Sequence, residues 1–231
     1  MSSHQPLSRA EIAYLVANDF PDGSIVNLGI GMPTMVSNFL PSDREILLHS
    51  ENGILGMGRP AKGDEIDLDL IDASRVPITL LAGASITEHT VSFAMMRGGH
   101  LDYSVLGGFQ VASNGDLANW MTNAPDAIAA IGGAMDLAVG ARNVFVMMEH
   151  VAKDGTPKLL EHCTYPLTGI GVVNRVYTDL AIIDVTPDGF KVRAMIEGLS
   201  LTDLQAKSGA RLHAPSTIPV ITRDGQGKAQ Y

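Results

Sequence analysis

The feature that most limits the fold is a recurring pattern in which a short apolar run reaches a glycine turn or leads on from a helical segment. "SIVNLGIGMPTMVSNFL" (24–40) reads as a strand, a glycine turn and a helix entered through Pro33, which loses no hydrogen bond in a first helical turn. "REILLHS", "VPITLL" and "DYSVLGGFQV" are further strands, with "SITEHTVSFAMMRGG" as a helix ended by Gly98 and Gly99. "AMDLAVGA" predicts a helix running into the strand "NVFVMME", and "LAIIDV" with "KVRAMI" makes one more β pair. Two helices are announced by their caps. Ser8 and Glu11 form a capping box before Ile12, Leu15, Val16 and Phe20 at helical spacing, and Ser200 with Asp203 opens "SLTDLQAKSGA", which Gly209 closes. Strands apolar on both faces and separated by helices predict an open α/β fold, a mainly parallel sheet covered by helices.

The 231 residues, 45% hydrophobic, are enough for one domain spanning 1–231, with no internal repeat or linker to divide it. Residues 213–231, "HAPSTIPVITRDGQGKAQY", lack helical periodicity and are expected to form an extended tail. No apolar run approaches the ~20 residues that cross a bilayer, and no basic stretch precedes an apolar one at the start, so neither a membrane nor a secretory route is expected. A single cysteine, Cys163, excludes an internal disulfide framework and agrees with a reducing, cytoplasmic setting. A net charge of -9 argues against nucleic acid as a partner.

Open parallel sheets bind ligands outside the carboxyl ends of their strands, and three glycine clusters, "GIG", "ENGILGMG" and "IGGAMD", fall near such ends. Familiar cofactor motifs do not fit them. "NLGIGMPT" has Gly29 and Gly31 but Thr34 where a dinucleotide fingerprint needs its third glycine, and the phosphate-loop lysine is missing. No histidine pair has the spacing that would place two ring nitrogens on one metal from one helix. His49 reads as the last residue of a strand with its ring satisfied by backbone, and Cys163 as a small buried hydrophobe. Glu51 remains, in "HSENGILGMG", between an apolar strand and a glycine-rich turn. A positioned glutamate attacks an activated carbonyl if fixed donors meet the developing oxyanion, and Gly53, Gly56, Gly58 and the Gly132-Gly133 pair would let backbone N–H groups come close. Read without further context, the same residues also make an ordinary polar turn.

Four longer stretches favour the chemical reading. "SENGILGMG" (50–58), "SFAMMRGGHLDYSVLGGFQVASNGDLANW" (92–120), "GGAMDLAVGA" (132–141) and "CTYPLTG" (163–169) together resemble the beta subunit of the family I 3-oxoacid CoA-transferases, a group that includes acetoacetate, succinyl-CoA:3-ketoacid and 3-oxoadipate enzymes. The likeness runs from about Ser8 to Ala210. It implies the open α/β (NagB/RpiA-like) fold of that family and transfer of coenzyme A between an acyl-CoA, such as succinyl-CoA, and a 3-oxo acid by a ping-pong mechanism. It implies Glu51 as the catalytic nucleophile that becomes a glutamyl-CoA thioester and Gly133 as an oxyanion-hole donor. Asn52, Gly53, Gly29, Gly31, Gln110 and Asn119 are implied to line the site, with Trp120 beside Asn119. Coenzyme A is then substrate and covalent intermediate, with no bound cofactor and no metal. The implied partner is the alpha subunit of the same family, in a two-plus-two heterotetramer.

Two departures from the family pattern remove positive charge. "MTNAPDAIAAIGG" stands where relatives often carry a lysine-bearing segment, and "IDAS" (71–74) where many have "NAGK". Either the substrate is then less acidic than succinate, or the charge comes from the partner or from Arg97. The rival expectations are an acyl-CoA hydrolase using the same glutamate, a sugar-phosphate isomerase on a related sheet, and a non-catalytic ligand-binding protein.

Overall fold

Val26, Val105, Val146 and Val176 are fully buried, and they stand on four neighbouring strands. Burying each contributes roughly 2 kcal/mol, which is why these short runs occupy the middle of the sheet. The computed structural model describes residues 4–224 and 228–231. Its first half supplies β1 (Ser24–Leu28), β2 (Ile46–Ser50), β3 (Ile54–Pro60), β4 (Ile78–Ile86) and β5 (Tyr103–Gly107). Next come β6 (Gln110–Ala112) and β7 (Leu117–Ala118), then β8 (Asn143–Met147) and β9 (Leu159–Leu160). The last part gives β10 (Val173–Tyr177), β11 (Ala181–Thr186), β12 (Gly189–Ile196), β13 (Leu212–His213), β14 (Val220–Arg223) and β15 (Ala229–Gln230).

The large sheet runs β15-β14-β12-β11-β10-β8-β5-β1-β2-β3-β4, with β13 beside β12. Its centre, β10-β8-β5-β1-β2, is parallel. Antiparallel pairs β2-β3-β4 and β10-β11-β12 flank that centre. The molecule is therefore an open α/β fold with a parallel core, and β6, β7 and β9 form a small second sheet. Among the described residues four α-helices accompany it: α1 (Arg9–Asn18), α2 (His89–Arg97), α3 (Ala134–Gly140) and α4 (Leu201–Ala206). Both expected caps are present. Ser8 N–H donates to Glu11 Oε2 at 2.7 Å and Glu11 N–H to Ser8 Oγ at 3.3 Å, while Asp203 N–H donates to Ser200 Oγ at 3.1 Å.

Several local expectations change. The glycine-rich "turn" after Glu51 is strand β3, and a Cβ at Gly56 or Gly58 would collide with Ala84 or Thr79 of β4, so these glycines permit close strand contact and supply no donors to a site. The helix through Pro33 is a 3₁₀ run, Met32–Phe39. Thr34 Oγ1 donates to Gly31 O and Ser37 Oγ to Thr34 O, both at 2.8 Å, which favours a three-residue repeat. "DYSVLGGFQV" breaks at Gly107-Gly108, because the chain leaves the large sheet there to enter the small one. The helix at "SITEHTV" starts at His89, since Ser85 and Ile86 extend β4 and Thr87 N–H donates to Gly53 O at 2.7 Å. The expected tail adds β14 and β15 to the sheet edge; its residues 225–227 lie outside the described residues.

Candidate active site

β1, β5 and β8 end at one side of the sheet, and a cavity of about 500 Å³ opens where they stop, floored by Asn27–Gly29, Leu106–Phe109 and Met147–Glu149. The turn after β2 forms one wall, and the chain leading into α3 lies opposite. This is where an open parallel sheet presents unpaired strand ends to a ligand.

The turn is tightly built. Gly53 N–H donates to Ser50 O at 3.0 Å, and Gly53 adopts φ 114° with its Cα against Thr87 O, a place no side chain could enter. The two residues flanking Glu51 grip the segment 71–76. Ala73 N–H donates to Ser50 Oγ at 3.0 Å and Asn52 Nδ2 to Ile71 O at 2.7 Å. Beneath them runs a buried polar chain. Asn27 Nδ2 donates to His49 Nδ1 at 3.0 Å and to His49 O at 3.1 Å, His49 Nε2 meets Ser92 Oγ at 2.8 Å, and Ser92 Oγ donates to Ser50 O at 3.3 Å. With Asn27 donating to Nδ1, the proton sits on Nε2, so every link has one donor and one acceptor. Burial pulls the His49 pKa down to about 4, opposed by its bond with Ser92, and the ring is neutral at pH 7. Its partners are thus side chains rather than the backbone expected from sequence.

Glu51 is left with its carboxylate free. Among the described residues it accepts no hydrogen bond, it is half-buried, and it lines the cavity. Burial raises its pKa, with His89 opposing and Asp136 reinforcing the shift. Gly133, the residue before α3, faces it so closely that a Cβ there would overlap Glu51 Oε2. The Gly133 N–H donates to no other backbone group among the described residues.

The other expected residues separate. Gly29 and Asn119 line the same cavity. Gly29 passes against the carbonyl of Val105, and Asn119 donates to Gly107 O at 3.0 Å while accepting from Thr168 Oγ1 at 2.6 Å, which holds the floor in place. Asn52, Gly53 and Gly31 are not among the lining residues: the first two shape the turn, and Gly31, at φ 93°, begins the 3₁₀ run. Gln110 is also elsewhere. Its Oε1 accepts from Thr164 and Tyr165 N–H groups at 2.8 and 3.1 Å, so it fixes the "CTYPLTG" loop. Trp120 Nε1 donates to Leu167 O at 3.1 Å and serves the same loop. Cys163 is half-buried, with burial and then Asp116 raising its pKa to about 11, which leaves an unreactive thiol.

Arg97 is committed to Asp136 at 2.6 Å, so it is not a spare cation for substrate. The turn at "IDAS" does keep a positive charge: Arg75 follows it, exposed and held at φ 65°. Sequence reasoning passed over Asn27 and Ser92, although an asparagine inside the apolar run "SIVNL" is a visible signal. Among the described residues no group of three or more His, Cys, Asp or Glu could hold a metal, and no helix is long and apolar enough to cross a membrane.

The coenzyme A transferase family profile matches residues 9–207. The chain is 56% identical over 210 residues to the beta subunit of 3-oxoadipate CoA-transferase from Acinetobacter baylyi, covering 91% of this chain and 97% of that one. It is 45% identical over 202 residues to the beta subunit of succinyl-CoA:3-ketoacid coenzyme A transferase from Helicobacter pylori, covering 87% and 97%. Among solved structures, an acyl-CoA transferase from Escherichia coli O157:H7 superposes with a TM-score of 0.74 at 17% identity over 96% of this chain and 45% of that one, a likeness of fold.

Proposed function

Because this chain belongs to the coenzyme A transferase family, we propose that Glu51 is the nucleophile through which it moves coenzyme A from an acyl-CoA to a 3-oxo acid. The chain is a transferase component of the beta type and works beside an alpha partner. The observation that carries the role of Glu51 is its free, half-buried carboxylate, placed against the Gly133 backbone in a strand-end cavity.

The carboxylate attacks the thioester carbonyl of an acyl-CoA, the C–S bond breaks, and an acyl-glutamyl anhydride forms as coenzyme A leaves as thiolate. The thiolate then attacks the Glu51 carbonyl carbon, which releases the first acid as its carboxylate and leaves a glutamyl-CoA thioester. A 3-oxo acid carboxylate reverses both steps and departs as its CoA ester. No step moves a proton, and each intermediate keeps the activation of the thioester. Gly133 N–H supports the oxyanion in each tetrahedral intermediate. Partial burial strips water from the Glu51 carboxylate, which favours attack once binding energy has positioned the ester.

Ile30, Ile128, Val139 and Ile170 are exposed apolar residues, and Ile30 lies beside Gly29 at the cavity. An alpha partner covering them in a two-plus-two heterotetramer would close the site. Incubation of the co-expressed assembly with acyl-CoA and no acceptor, followed by proteolysis and mass spectrometry, tests the reading. A CoA adduct should map to the peptide holding residues 50–58 and vanish in Glu51→Gln. A label elsewhere overturns it, and steady thioester hydrolysis without acceptor would favour a hydrolase.

A further inference from the structure

His89, Phe93 and Arg97 follow one another at four-residue intervals along one face of α2. The His89 and Phe93 ring centroids are 4.9 Å apart, and the Arg97 guanidinium stands 5.7 Å from the Phe93 centroid. Phe93 Cζ lies 3.4 Å from the point that a Cβ on Gly133 would occupy, so this ring and the Glu51 carboxylate meet Gly133 on the same side. Three residues on from Gly133, Asp136 accepts from Arg97 Nε at 2.6 Å. At the far end of α3 a Cβ on Gly140 would overlap the Met96 carbonyl, so the two helices touch there through their backbones. The short α3 is therefore tied to α2 at both ends, and α2 is tied to the Glu51 turn by Ser92, which donates to Ser50 O at 3.3 Å.

We propose that Arg97 and Asp136 are positioning residues for the transfer reaction: their ion pair latches the start of α3 to α2 and so keeps the Gly133 N–H in register with the Glu51 carboxylate. The inference rests on the reading of Glu51 given above and adds two residues that act through Gly133. Residues 122–132, which lead into α3, are mostly exposed, so the place of Gly133 has to be set from the helix side. Arg97 also answers a charge. Burial raises the Glu51 pKa, His89 opposes the rise and Asp136 adds to it, and a guanidinium held on Asp136 offsets that last contribution. The other charged groups about the site are Arg9, Glu149 and Lys158 across the cavity, Glu88 at the head of α2, and Asp72 and Arg75 in the segment gripped by the turn. Glu149 is paired with Arg9 at 2.8 Å, and Asp72 accepts from the Ser74 and Val76 N–H groups. All of these stay in place when the latch is altered.

The test compares Arg97→Met, Asp136→Asn, the double variant and the unmodified chain, each assembled with its alpha partner. Each single variant should lose about 10-fold in kcat, less than the ~100-fold that 1 Å of misplacement costs, with KM for acyl-CoA unchanged. The double variant should lose no more than the worse single, because the two residues act as one. The acid limb of kcat/KM should move to lower pH in Asp136→Asn and to higher pH in Arg97→Met, where the Asp136 carboxylate is left uncompensated beside Glu51. A pair whose arginine remains exposed adds little to global stability, so the thermal midpoint should hardly move, and Arg97→Lys should recover part of the rate. Additive losses, or an acid limb that stays put in both single variants, would overturn the latch. So would a rise in KM alone in Arg97→Met, which would place the guanidinium on the substrate. Mapping the CoA adduct in the same assemblies separates the two readings: with the adduct present on Glu51 these outcomes strike the latch alone, whereas its absence from the unmodified assembly strikes the nucleophile assignment and the latch with it.

Discussion

The Cα of Gly133 rests against the carboxylate of Glu51, so closely that a single methyl group at 133 would occupy the place of Oε2. Gly133 has φ -84°, which any residue can adopt, so its smallness serves the contact rather than the backbone. Gly133→Ala should fold and assemble normally while displacing the carboxylate. A misplacement of ~1 Å costs about 100-fold in rate, so kcat should fall by that order with little change in the thermal midpoint. Unaltered turnover would show that the carboxylate does not react where it now lies.

Glu51→Gln should abolish transfer, because an amide does not form the anhydride, and yet it should not weaken the fold. The raised pKa of Glu51 means that the folded protein disfavours the charged form. Removing that charge therefore leaves stability equal or greater at neutral pH, and the gain disappears as the pH falls below the ordinary glutamate range, where both forms are neutral. Thermal melts across pH check the sign. The same shift places the acid limb of kcat/KM above the usual glutamate value, since attack requires the carboxylate.

Ser92→Ala removes the hydroxyl that joins His49 Nε2 to Ser50 O. A buried N–H left without a partner costs about 1–3 kcal/mol, which urea denaturation would read directly. Since the lost bond also steadies the start of the Glu51 turn, the rate of thioester formation should fall in parallel. Lost stability with an unchanged rate would assign the chain a purely structural role.

Two histidines predict an acid-sensitive fold. His49 and His150 are fully buried and each is held to a pKa of about 4, mainly by burial; for His150, Lys207 and Lys158 add to the effect. His150 bridges Thr178 Oγ1 at 3.0 Å and Ser208 Oγ at 2.9 Å. The unfolded chain takes up these protons near pH 6.5, whereas the folded chain refuses them until about pH 4. Stability is thus fully present above pH 6.5 and is lost as pH falls towards 4, by roughly 3 kcal/mol per histidine. Replacing His150 with Asn should flatten that slope by one proton's worth in a pH series of denaturation curves.

The parallel centre of the sheet was legible because its apolar runs are short, dense and punctuated by glycine or caps, and because burial on both faces leaves no alternation to confuse with a surface strand. β3 was not, since the hairpin turn and the strand after it share one composition: glycine in "NGILGMG" marks first a positive φ at Gly53 and then tight strand contact at Gly56 and Gly58. β10 was hidden by Arg175, which lies inside the sheet only because Asp19 and Asp184 meet it at 2.6 Å from distant parts of the chain. Glu51, Gly133, Gly29 and Asn119 meet at one cavity from four separate stretches. Gln110 was misplaced because the chain leaves the large sheet at Gly107-Gly108, where Gly108 packs against Val146, and Gln110 begins a strand of the small sheet.

Glu11 closes the capping box on Ser8 and also receives the guanidinium of Arg223 from β14. One side chain therefore terminates the first helix and fastens one of the last strands. In genetic terms these positions are epistatic: a change at Glu11 alters what a change at Ser8 or at Arg223 can still do, and neither double variant will equal the sum of its singles. Lineages of this chain should accordingly replace residues 8, 11 and 223 together or leave all three alone, so that covariation between the two ends of the sequence records a contact that the intervening residues never touch.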